Sequence, residues 1–195
     1  MKVIYLHGFG STGISAKSDA LKERFGAENV IAPDLPLDPN EVVTTINDLV
    51  RTVAAGGKEN FPIVFVGTSL GGFWARYMSH IWDVPCVIAN PATRPSETMF
   101  ERMNGDLPSY NYVTGEIINI LPEYIKIFKN CEHQSRTFQE GKLIHLYLAK
   151  DDEVLDYRDA LEDIPFSCTR KIKEDGGHRF EKYWSEIIDK IDDLV

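Results

Sequence analysis

The sequence predicts an α/β fold: a mostly parallel central sheet, helices on both faces and a small helical cap inserted late in the chain. Three observations lead there. Strand-like and helix-like segments alternate along the chain, the order that builds β-α-β crossovers. At residues 61–80 an apolar run passes through a turn of small residues straight into helical substance. The 195 residues, 43% hydrophobic and 26% charged, have the size and make-up of one soluble domain.

Residues 3–6, Val-Ile-Tyr-Leu, form the first strand, and 17–25 read as a helix. Residues 29–32 are a short strand closed by Pro33-Asp34. Residues 41–55 place Val42, Val43, Ile46, Leu49, Val50 and Val53 on one helical face, and Gly56-Gly57 stops that helix. Strand 63–66 follows, then a helix from Leu70 to about His80 and a strand at 84–89 closed by Asn90-Pro91. Residues 142–149 are a further strand, and the mixed polarity of 167–173 suggests an edge strand. The last helix, 180–194, turns Phe180, Tyr183, Trp184, Ile187, Ile188 and Ile191 inward. Between Pro91 and Gly141 lie about fifty residues, too many for one crossover. We read residues 92–141 as the cap insertion in a single domain spanning 1–195. Its pieces are an amphipathic stretch at 97–103, a Gly/Pro/Tyr-rich stretch at 104–112, and apolar pieces at 117–121 and 124–128.

Gly67-Thr68-Ser69-Leu70-Gly71-Gly72 carries the most chemical information. By chance, Gly-x-Ser-x-Gly arises in roughly one chain in twenty of this size. Between a strand and a helix it is the nucleophile elbow of α/β-hydrolases: a strained turn lifts the serine hydroxyl above the sheet edge. The Leu70 N–H then falls at a helix N-terminus, where free donors and the helix dipole favour an oxyanion. The second donor is expected from the loop after the first strand, His7-Gly8-Phe9-Gly10, through the N–H of Phe9.

A serine needs a histidine base, and the histidine needs an acid; in this fold their order is Ser, Asp or Glu, His. Five histidines are present. His7 precedes the elbow in a Gly-flanked loop, which suggests another role. His80 ends the helix behind Ser69, His133 lies at the polar end of the cap, and His145 is mid-strand, a satisfied structural residue. His178 alone follows the last strand in a Gly-rich loop, so it is the base. The acid comes from Asp151-Asp152-Glu153, where spacing does not separate Asp151 from Asp152. The unused acids are expected to be solvated or to cap a helix beginning near Asp156, and Asp175 to shape the histidine turn.

A net charge of −9 argues against nucleic-acid partners and, more weakly, against anionic membranes. No segment approaches a membrane span, and residues 3–6 are too short for a signal peptide. Cys86, Cys131 and Cys168 are distant and odd in number, as reduced thiols in a cytoplasmic protein would be. No His-Glu-x-x-His spacing occurs, so neither metal nor organic cofactor is implied.

Tyr5-Leu6-His7-Gly8-Phe9, the elbow, Asn90-Pro91-Ala92-Thr93-Arg94-Pro95, Asp152-Glu153-Val154-Leu155-Asp156-Tyr157-Arg158 and Gly176-Gly177-His178 together resemble the YqiA-type bacterial esterases, small cytosolic α/β-hydrolases. The resemblance runs almost end to end. It implies a triad of Ser69, Asp152 and His178, choosing Asp152 where spacing did not. It also implies hydrolysis of short acyl esters, and of acyl-CoA thioesters in some members. His7, Gly8 and Arg94 are expected near the substrate. Arg94 either forks onto a substrate carboxylate or phosphate or braces the cap through an ion pair; the brace is preferred. Two rival functions use the same elbow: a lyase like those of the menaquinone pathway, where the triad abstracts a proton, and a non-catalytic ligand-binding role.

Overall fold

The computed structural model describes residues 1–55, 62–138 and 143–194. Strands β1 (Lys2–Leu6), β2 (Val30–Ile31), β3 (Ile63–Ser69), β4 (Cys86–Pro91), β5 (Ile144–Ala149) and β6 (Thr169–Lys173) form one sheet in the order β2-β1-β3-β4-β5-β6. Every neighbouring pair is parallel, so each connection must cross a face of the sheet. The crossovers carry α1 (Ala16–Phe25), α2 (Pro39–Ala55), α3 (Leu70–Trp82), α4 (Pro95–Asn104), α5 (Pro122–Arg136) and α6 (Tyr157–Asp163), and α7 (Trp184–Asp192) ends the chain.

Strand side chains divide between the two faces with period two. Ile4, Leu6, Phe65, Ile88, Leu146 and Leu148 join the core under α2 to α6. Val3, Tyr5, Val64, Val66, Val87 and Tyr147 join Leu21, Phe180, Trp184, Ile187 and Ile191 on the other side. The edges are guarded differently: β2 is only two residues long, and β6 carries Arg170, Lys171 and Lys173, charges that discourage pairing with another chain.

Several boundaries differ from the sequence reading. Ala27–Asn29 form a 3₁₀ turn, which leaves only Val30 and Ile31 in the second strand. The 84–89 strand slides to Cys86–Pro91, because pairing with β3 continues through Ser69 and Pro91. The last helix begins at Trp184, after left-handed Phe180 (φ 55°) and a 3₁₀ turn at Glu181–Tyr183. The Gly56-Gly57 stop and the Lys142 start of the fifth strand lie outside the described residues.

Within residues 92–138, α4 and α5 pack on the α3 side of the sheet. Phe128 sits 5.6 Å from Trp74 and 6.4 Å from Phe73, ring centre to ring centre. Buried Glu132 of α5 accepts from the N–H and the hydroxyl of Ser96, satisfying the N-terminus of α4. Between these helices the chain folds on itself through a Tyr110–Ile117 bridge. The N–H of Tyr112 donates to the Gly10 carbonyl (2.7 Å), which lays this loop against the one after β1.

Candidate active site

Strand order reverses between β1 and β3: the chain goes from β1 outward to β2, then returns to the other side of β1. In parallel sheets the crevice at such a switch point, beyond the carboxyl ends of the strands, is where ligands bind. Ser69 ends β3 there with φ 54° and ψ −126°, a conformation that costs an L-residue about 1–3 kcal/mol. The turn is closed so tightly that a β-carbon on Gly71 would lie 1.9 Å from the Leu6 carbonyl oxygen, and one on Gly67 2.2 Å from that of Gly71. Ser69 is the N-cap of α3, yet its side chain makes no capping bond, so the hydroxyl is left for other use.

The loop after β6 returns across the carboxyl rim of β5 and β4. His178 Nδ1 lies 3.0 Å from both carboxylate oxygens of Asp152. The Asp152 side chain is 2% exposed, and its Oδ1 also accepts from the N–H groups of Val154 (2.8 Å) and Leu155 (2.9 Å). This Asx turn fixes the carboxylate, and the carboxylate fixes the ring: Nδ1 donates to it, which in the neutral tautomer leaves Nε2 as the acceptor nitrogen. His178 and Ser69 line one cavity of about 490 Å³. Among the described residues no hydrogen bond joins the Ser69 hydroxyl to the His178 ring; such bonds are often long without substrate and tighten in the complex.

A family profile described as an uncharacterised protein family, UPF0227, matches residues 2–194. The chain belongs to the UPF0227 family. This is the YqiA-type family to which its motifs point. A UPF0227 protein of Vibrio parahaemolyticus is 25% identical over 181 residues, covering 92% of each chain. One from Vibrio atlanticus is 28% identical over 184 residues, again covering 92% of each. Among solved structures, Est1E from Butyrivibrio proteoclasticus superposes with a TM-score of 0.72 at 14% identity, covering 98% of this chain and 85% of its own. A Pyrococcus furiosus esterase gives 0.66 at 15% identity, covering 99% and 81%. These likenesses show that this UPF0227 chain has the α/β-hydrolase fold.

The remaining predicted residues divide between the cavity and its scaffold. Gly8 and Phe9 line the cavity, and a β-carbon on Gly8 would lie 3.4 Å from Ser69 Cβ. Leu70 opens α3 directly behind Ser69. His7, expected at the substrate, is instead 6% exposed with both nitrogens engaged. Its Nε2 accepts from the Leu35 N–H (2.9 Å), so Nδ1 donates to the Gly8 carbonyl (2.8 Å). Burial holds its pKa below the usual value, which keeps the ring neutral and suited to holding the Gly8-Phe9 loop. Arg94 is also away from the cavity: it pairs with Asp159 (3.0 Å), Glu162 (2.7 Å) and Asp163 (2.9 Å), bracing the start of α4 against α6.

Three scaffold residues escape the sequence reading. Asp151 and Glu153, expected to be solvated or to cap a helix, hold the histidine loop instead: Asp151 accepts from the Gly177 N–H and Glu153 from the His178 N–H, both at 2.9 Å. Asp156 caps α6. Asn90, 3% exposed with φ 41°, accepts from the Ala149 N–H (2.8 Å) and donates to the carbonyls of Gly177 (2.9 Å) and His178 (3.2 Å). It joins the ends of β4 and β5 to the His178 loop. The available signal was an amide at the end of a buried strand, just before Pro91. His145 is buried, but its Nδ1 has no partner among the described residues. Again among those residues, no group of three or more His, Cys, Asp and Glu side chains is arranged to hold a metal ion.

Proposed function

We propose that this protein is a serine hydrolase that cleaves short-chain acyl esters or thioesters through Ser69, His178 and Asp152. The observation that carries the reading is the pairing of a left-handed serine at the strand–helix turn with a histidine–carboxylate couple on the same cavity. His178 Nε2 removes the Ser69 proton as Oγ attacks the acyl carbonyl. The tetrahedral oxyanion is held by the N–H groups of Leu70 and Phe9. Collapse breaks the bond to the leaving alcohol or thiol, which takes the proton from His178, and a water molecule then releases the acyl group by the same steps. No protein cofactor enters the cycle. The substrate is a small molecule, and neither nucleic acid nor membrane is required. No helix among the described residues is long and apolar enough to cross a membrane, and buried, unpaired Cys86, Cys131 and Cys168 suit a reducing cytoplasm.

The test is release of 4-nitrophenol from its butyrate ester. Wild type should turn over, and Ser69→Ala should lose about six orders of magnitude in kcat if the triad acts as a unit. Equal rates in both proteins would end the proposal. No release at all, with pyruvate elimination from a menaquinone precursor, would favour the lyase.

A further inference from the structure

The cavity that holds Ser69 and His178 is lined by five other charged side chains: Lys17, Arg102, Arg179, Glu153 and Glu181. Three of these are already committed. Glu153 accepts from the His178 N–H, and Arg179 and Glu181 pair with each other at 3.5 Å. Lys17 and Arg102 have no carboxylate partner among the described residues. Arg102 lies 4.2 Å over the Phe9 ring, gives one N–H to the Pro108 carbonyl, and leaves its buried Nε without a partner. Lys17 is held from the first turn of α1, with its ammonium 5.4 Å from the centre of the Trp184 ring. Neither cation has a carboxylate within ion-pair distance among the described residues, although Glu181 on the same lining favours the charged form of Lys17; in a chain of net charge −9 two such cations on one cavity stand out.

We propose that Lys17 and Arg102, each from its own part of the lining, make this cavity selective for anions, so that the preferred substrate is an ester or thioester carrying a carboxylate or phosphate. This rests on the hydrolase reading for its site but makes a separate claim about binding. A partly buried cation facing an enclosed anion gains a charge-assisted hydrogen bond that a neutral substrate does not supply. Burial draws Lys17 down to about 8, against the opposing pull of Glu181 and with the help of Arg179. An anion in the cavity would oppose that drop, because a nearby negative charge favours the charged ammonium.

A matched pair of esters tests the proposal. 4-Nitrophenyl pentanoate and mono-4-nitrophenyl glutarate have acyl chains of equal length and differ in a terminal carboxylate. Wild type should prefer the glutarate by about ten- to a hundredfold in kcat/KM. Lys17→Met and Arg102→Gln should each cut that ratio about tenfold, and Lys17→Arg should restore most of it. A ratio near one in the wild type, or one unmoved by both substitutions, would overturn the anion selectivity. Calorimetry with Ser69→Ala separates this claim from catalysis. Monomethyl glutarate or glycerol 3-phosphate should bind, and adding Lys17→Met should weaken binding at least tenfold. The tighter probe identifies carboxylate or phosphate as the recognised group. Equal binding with and without Lys17 overturns the anion selectivity even if Ser69 is the nucleophile; failure of a fluorophosphonate to label Ser69 in the wild type, with anion binding intact, overturns the hydrolase reading alone.

Discussion

Asn90 offers the clearest way to separate the positioning of the histidine from its chemistry. Asn90→Ala removes three hydrogen bonds at 2.8, 2.9 and 3.2 Å. The Ala149 N–H is then buried without an acceptor, which costs about 1–3 kcal/mol, and the two part-exposed loop carbonyls lose roughly 0.5–1 kcal/mol each. Alanine also tolerates the native φ of 41° less well than asparagine, by about 1 kcal/mol. Stability should fall by about 3–6 kcal/mol, read from urea denaturation at pH 7. The loop keeps its Asp151 and Glu153 contacts, so the protein should still fold with His178 less well aimed. A misplacement of about 1 Å costs on the order of a hundredfold, and it should appear in kcat for 4-nitrophenyl butyrate, with KM little changed. Asn90→Gly removes the same bonds without the strain at φ, so it should match the loss in kcat with a smaller loss of stability. Wild-type kcat in both variants, with an unchanged urea midpoint, would refute the positioning role.

Ser69→Gly should abolish hydrolysis yet raise stability by about 1 kcal/mol, the strain at φ 54° less glycine's greater entropy when unfolded; a destabilised variant would show that the elbow holds no strain. Gly71→Ala should lose about 3 kcal/mol or more, or fail to fold, because its methyl would sit 1.9 Å from the Leu6 carbonyl; a wild-type melting temperature would contradict that contact. His145 is buried beside Lys190, which disfavours its protonation, and Asp193, which favours it, and burial takes it from 6.5 to about 4. The unfolded ring binds a proton near pH 6.5 and the folded ring only near 4, so this contribution is complete above pH 6.5 and lost as pH falls toward 4. Roughly 2 kcal/mol should go in that window, and His145→Phe should flatten the dependence; equal slopes in urea midpoint between pH 7 and 4.5 would contradict it.

The fold was legible because a parallel sheet writes itself plainly: β1, β3, β4 and β5 are short apolar runs separated by helical stretches. The elbow was legible because sterics at Gly67 and Gly71 admit only glycine. What local pattern did not reveal was the use of polar groups across long separations. Asp151 and Glu153 look like solvated charges until the loop 26 and 25 residues later closes onto them. His7 sits in a glycine-flanked loop as a substrate contact would, but its partner, the Leu35 N–H, is 28 residues away. The 3₁₀ turns at Ala27–Asn29 and Glu181–Tyr183 shortened elements whose residues alone suggested longer ones, because local propensity yields to packing at element ends.

The most direct measurement is mass-spectrometric mapping of a fluorophosphonate adduct on the folded protein. One phosphonyl group on Ser69 is expected, with labelling slowed by His178→Ala and by Asp152→Asn. An adduct on any other residue, or equal labelling of wild type and Ser69→Ala, would contradict a nucleophile at the strand–helix turn.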